Sequence, residues 1–185
     1  MDPAPRHPPD IALDIAEPCA GWRQRRTDID ALCAEAVRAA LAAAAPVLPR
    51  GAELSLVLAD DATVRELNRA WRGKDRPTNV LSFPAQELVP DEPPVDVPPG
   101  APWPLGDVVL ACETVAGEAA AQGKDFADHL RHLVVHGVLH LLGHDHEGDA
   151  EAERMEGLER RILAGLGIAD PYREPAAEPR EAAHG

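Results

Sequence analysis

The stretch HGVLHLLGHDH, from His136 to His146, places four imidazoles in an aliphatic run, and five of the chain's eight histidines fall between His132 and His146. Residues four apart on a helix face the same way, so His136 and His140 project side by side. At that spacing two ring nitrogens can reach one ion at ~2.0–2.1 Å. Gly143 follows as a natural left-handed helix terminator, so the chain can turn and bring His146 back to the same point. Three neutral nitrogens on one side of an ion leave a position open for water, which is the plan of a catalytic zinc site and not of a closed structural one. A lone histidine on an apolar face is ordinarily a hydrogen-bonded core residue. Three at this spacing, joined by a helix-stopping glycine, point to metal binding by His136, His140 and His146. Three imidazoles suit Zn2+, one ion per chain, and also accept nickel, copper or cobalt.

The other polar residues nearby receive lesser roles. His132 lies one turn before His136 and is assigned to the core or to hydrogen bonding behind the ligands. His144 is expected to point away if His146 points in. Asp145 could orient a ligand imidazole, whereas Asp149 reads as a solvated acid, and Met155 as ordinary core. The run also matches the metzincin pattern H-E-x-x-H-x-x-G-x-x-H at every position except the glutamate, which is replaced by Gly137. That glutamate is the general base of peptide hydrolysis, so its absence disfavours a metalloprotease.

A second chemical feature lies upstream. Arg65, Arg69, Arg72, Lys74 and Arg76 oppose only Glu66 and Asp75 between positions 65 and 76, although the whole chain carries a net charge of −14. Arg65, Arg69 and Arg72 fall on one helical face, with Val64, Leu67 and Trp71 expected inward on the other. A solvated face accounts for Arg65 and Arg69. Arg72 stands at the helix end before a turn into a strand, where a guanidinium can hold a phosphate through two parallel hydrogen bonds. Thr78, Asn79 and Ser82 are assigned to turn and strand hydrogen bonding.

These residues need elements to position them. The alternation of IALDIAE (11–17), ELSLVLA (53–59), NVLSFP (79–84) and GDVVLA (106–111) predicts four strands. Apolar spacing predicts helices from about Thr27 to Pro46, from Asp60 or Asp61 to Gly73, over 113–122, over 125–142 and from Asp149 to Leu166. The expected architecture is α+β: a single domain with a four-stranded mixed sheet covered by about five helices, one of them a zincin-like metal-site helix. Residues 11–168 would form the domain, with tails at 1–10 and 169–185. A stiff loop over 88–104 is expected because seven prolines crowd residues 90–104.

Bulk properties exclude several classes. No apolar run reaches the roughly 18 residues of a membrane helix, and the amino terminus lacks the apolar core of a secretory signal. Cys19, Cys33 and Cys112 are sparse and far apart, which suits a reducing cytoplasm. Strong negative charge argues against a simple nucleic-acid coat, and no DNA or membrane partner is expected.

HGVLHLLGHDH and, independently, LNRAWRGKDRPTNVLSFP (67–84) resemble the YbeY family of bacterial metallo-endoribonucleases and rRNA maturation factors. LGDVVLACETVAGEA (105–119) resembles a further segment of that family, so the likeness spans most of residues 60–166 in order. His144 departs from it, standing where many relatives have tyrosine, at a position that is not a ligand. The resemblance implies a zinc-dependent, single-strand-specific endoribonuclease that matures the 3′ end of small-subunit rRNA and serves ribosome quality control. It implies His136, His140 and His146 as ligands, Arg72 as the functional arginine, and single-stranded RNA and the small ribosomal subunit as partners. Two other classes stay open at this level: a non-catalytic, metal-stabilised ribosome assembly factor, and a metallopeptidase-like hydrolase.

Overall fold

The computed structural model describes residues 10–44 and 46–173; the outer parts of both expected tails lie outside the described residues. Four strands, β1 (Ala12–Ala16), β2 (Ala52–Ala59), β3 (Val80–Pro84) and β4 (Trp103–Ala111), form one sheet in the order β1-β2-β4-β3. The first three in that order run parallel, and β3 pairs antiparallel with β4 as an edge. The sheet is therefore mixed, as the strand patterning anticipates.

Alternation along the strands separates two cores. Leu54, Leu56 and Leu58 of β2, with Val108 and Leu110 of β4, join the larger cluster, while Val57, Ala59, Val109 and Ala111 face a smaller one with Leu81 and Phe83 of β3. Over the larger cluster lie α2 (Ile29–Ala44), α5 (Phe126–Leu141) and α6 (Asp149–Gly165). Over the smaller lies α3 (Asp61–Arg72), whose Val64 is fully buried. Two further helices, α1 (Gly21–Arg25) and α4 (Cys112–Ala121), raise the number to six among the described residues. The periodicity does not foretell α1, because a single five-residue turn shows no repeat; it is fixed by Trp22, whose indole N–H donates to the Ala59 carbonyl at 2.9 Å from a fully buried site.

The proline-rich segment joins β3 to β4. It closes earlier than the expected 88–104, because Trp103 and Pro104 already belong to β4. A proline is tolerated there because the register against β2 shifts beside it, Glu53 facing Pro104 and Leu54 facing Gly106. At its other end the segment passes over the turn that closes α5.

That turn and the middle of α5 each demand glycine. Gly143 has φ +89°, and a Cβ there would stand 2.1 Å from the Leu88 carbonyl oxygen. Gly137 has ordinary helical geometry but lies where α5 crosses the sheet, and a Cβ would sit 2.6 Å from Val108 Cγ1. Overpacking of that kind costs about 1–3 kcal/mol. The close approach is sealed by the Ser82 hydroxyl, which donates to the Gly137 carbonyl at 3.1 Å. The residue replacing a metzincin's glutamate is thus the one pressed against the sheet.

Candidate metal centre

Helix α5 starts at Asp125, whose side chain accepts the Asp128 N–H at 3.2 Å, and runs with Leu130, Val134, Val138 and Leu141 buried. His136 and His140 emerge from it one turn apart and half-buried. The helix closes through Gly143 N–H to the His140 carbonyl and His144 N–H to the Leu139 carbonyl, both at 3.1 Å. This reversal carries the exposed His146 back over the end of α5. One ligand atom from each of His136, His140 and His146 then lies within 4.8 Å of the other two.

Two of those atoms are closer still: His136 Nε2 and His140 Nε2 are 3.0 Å apart. Two nitrogens each ~2.0–2.1 Å from a tetrahedral ion would stand roughly 3.3 Å apart. The ring centroids of His146 lie 5.1 Å from His140 and 5.9 Å from His136. Burial and the two neighbouring imidazoles push His140 down to about 4, so its ring is neutral with a lone pair to give. The donor set suits a divalent transition metal, with His146 on the solvent side and no fourth protein ligand in the cluster among the described residues.

One decisive residue escapes the sequence reading. Glu159 of α6 is fully buried, and its Oε1 lies 2.5 Å from His136 Nδ1. The carboxylate accepts the Nδ1–H and thereby leaves the Nε2 lone pair for a metal, as carboxylates behind ligating histidines do. Burial alone would raise its carboxyl, but His132 and His136, aided by the Tyr172 hydroxyl, hold it near 2. Tyr172, which the sequence reading places in the carboxy-terminal tail, donates that hydroxyl to Oε2. His132 Nε2 stands 3.6 Å from the same oxygen, beside the carboxylate but beyond hydrogen-bond distance. The missed signal is an acid in an apolar row: Met155, Leu158, Ile162 and Leu163 are the other buried residues of α6.

The remaining assignments divide cleanly. Asn79 donates to Glu118 at 3.0 Å and caps the Val80 N–H at 2.7 Å, so it and Ser82 are structural. Met155 is core. Asp149 is exposed in the first turn of α6, and Asp145 Oδ1 accepts the His146 N–H at 2.7 Å. His144 is half-buried and burial lowers its imidazole below the ordinary value. It lines a groove of about 820 Å3 that is also lined by His136, His140, His146, Arg72 and Trp71.

The opposite wall of that groove is α3 and β3. Gly73 caps α3 by donating to the Asn68 and Arg69 carbonyls, and buried Asn68 donates its side-chain N–H to the Arg76 carbonyl at 2.7 Å. Arg65 is spent on Asp75 through two hydrogen bonds of 2.8 and 3.1 Å, which fits a surface role. Together these bonds set the turn after Arg72, and Arg72 lines the groove with no ion pair among the described residues. Trp71 differs from expectation. Its ring is 73% exposed where the helical spacing predicts burial, because the smaller core that receives Val64 and Leu67 gives out at Phe83.

A model of the family described as "Endoribonuclease YbeY" matches residues 22–167. A protein from Paramagnetospirillum magneticum is 58% identical over 89% of this chain and 96% of its own length, and one from Azorhizobium caulinodans is 54% identical over 90% and 99%. Both carry the name endoribonuclease YbeY. The solution structure of TM1509 from Thermotoga maritima shares the fold, with a TM-score of 0.50 and 22% identity over 88% of this chain and 99% of that one.

Proposed function

The chain belongs to the YbeY endoribonuclease family, and from that premise we propose that it is a metal-dependent endoribonuclease acting on single-stranded RNA. The observation that carries the reading is the convergence of His136, His140 and His146 on one side of a groove whose other side presents Arg72. A divalent cation held by the three imidazoles would supply a Lewis acid for a phosphoryl oxygen and would lower the pKa of a coordinated water toward ~7. The chain itself contributes the rest. Glu159 fixes the tautomer and orientation of His136. Arg72 donates paired N–H groups to the scissile phosphate and shares the charge that grows on its oxygens. His144 and Asp145, which line the groove, are the candidates to accept a proton. Unpaired RNA suits the site because bent backbone and splayed bases can reach a recessed centre.

Zinc is the proposed ion, since its tetrahedral preference fits three imidazoles and one open position. Maturation of the 3′ end of small-subunit rRNA, ribosome quality control, docking on the small subunit and work in the cytoplasm rest on the family resemblance. Among the described residues no helix is long and apolar enough to cross a membrane. The metallopeptidase reading loses support from Gly137, where the base that peptide hydrolysis requires would collide with Val108.

The test joins metal analysis of purified protein to cleavage of a single-stranded RNA. Wild type is expected to hold about one equivalent of metal and to cut, and His140→Ala to lose both. A fully loaded wild type that cuts no RNA yet stays with ribosomes would leave the assembly-factor reading instead.

A further inference from the structure

Trp71 is the most exposed aromatic ring among the described residues, at 73%, while the other two tryptophans, Trp22 and Trp103, are 0% and 4% exposed. Single exposed apolar side chains are ordinary. Three features set this one apart. It lines the same groove as the histidines and immediately precedes Arg72. Its ring is braced: the Phe83 ring of edge strand β3 meets it edge-on, with centroids 6.0 Å apart and planes at 62°. Its surroundings are basic, with Arg69, Arg72, Lys74 and Arg76 within five residues and only Arg65 in this stretch engaged by Asp75.

A flat, fixed, water-exposed indole beside cationic side chains is how proteins receive an unpaired base whose backbone follows the charges. We infer that Trp71, held by Phe83, is a stacking subsite for one unpaired nucleobase of the RNA strand, next to the phosphate that Arg72 engages. The inference rests on the proposed action on RNA and adds to it a specificity element. Duplex is rejected because its bases are already stacked on one another, while any of the four bases offers a face to the indole. The subsite therefore selects for single strands without selecting sequence.

Trp71 itself provides the readout, since the other two of the three tryptophans are buried. Holoprotein is titrated with a 2′-O-methyl single-stranded oligoribonucleotide, with its duplex, and with a series carrying one abasic residue at successive positions. The single strand is expected to quench the emission saturably and the duplex to leave it unchanged. One abasic position is expected to weaken binding by wild type but not by Trp71→Ala. With cleavable RNA, Trp71→Ala is expected to raise KM on the order of tenfold, with the loss in KM more than in kcat, and Trp71→Phe to recover most of it. An unchanged KM in Trp71→Ala, equal abasic penalties in both proteins, or equal losses in Trp71→Phe and Trp71→Ala would overturn the stacking role. If wild type cuts no RNA, the nuclease reading fails by itself, and the quenching and abasic titrations still decide the subsite. Absence of quenching by any single strand would sink the subsite as well.

Discussion

The two walls of the groove are built by opposite means. On the α5–α6 side the histidines stand over a fully buried carboxylate, with His132 and Tyr172 closing around it. On the α3–β3 side Arg72 and Trp71 stand at a surface turn, held by the exposed Arg65–Asp75 pair and by the amide of buried Asn68 on the Arg76 carbonyl. The difference follows from what each wall must hold. A metal tolerates errors of only about 0.2 Å in its ligand distances, so the imidazoles are locked from behind. A polyanionic strand needs charge and a flat ring that remain in water until it arrives.

This contrast can be broken by mutation. The largest effect belongs to the buried wall. His140→Ala removes one of three donors and should lower RNA cleavage by on the order of a thousandfold, with metal lost in elemental analysis. Next comes Glu159→Ala, which touches neither metal nor RNA. It should weaken metal affinity roughly 10–100-fold in chelator competition, and an unchanged affinity would remove the carboxylate's orienting role. On the exposed wall, Arg72→Ala should slow turnover by about tenfold or more while metal content stays at the wild-type level. Cleavage at wild-type speed would strip Arg72 of its phosphate contact.

The smallest effect concerns acid. His129, one turn before His132, is buried against Glu118 at 2.8 Å, and burial outweighs that carboxylate to hold its imidazole below the ordinary 6.5. The unfolded chain therefore takes up this proton at a higher pH than the folded one does. The contribution is fully present above ~6.5 and is lost as pH falls toward the folded value. His129→Gln should flatten the fall in denaturation midpoint below ~6.5, whereas Arg72→Ala should leave that slope alone. A wild-type slope in His129→Gln would show that other groups govern the acid response.

One wall is far more legible in the amino-acid order than the other. The histidine triad was legible because its geometry is local: a helical i, i+4 pair and a glycine turn bring all three rings together within eleven residues. The four strands and the site helix were legible for the same reason, as periodicity is a property of neighbours. Glu159 was hidden because its partner lies 23 residues away on another helix, and an acid in an amphipathic helix looks solvated until the packing is known. Trp71 misled in the other direction. Its spacing with Val64 and Leu67 promises burial, but periodicity fixes only which way a side chain points and not how far the opposing core extends.

The amino-acid sequence by itself determined which donors this protein can offer a metal, where the helix carrying them must stop, and that a basic turn precedes the edge strand. Tertiary structure alone decided that α6 brings a carboxylate against His136, that the sheet forbids a side chain at residue 137, and that Trp71 stays in water. The physical reason is range. Backbone periodicity and turn chemistry act over a few residues, while tautomers, close approaches and the limits of a core are set by atoms that only folding brings together.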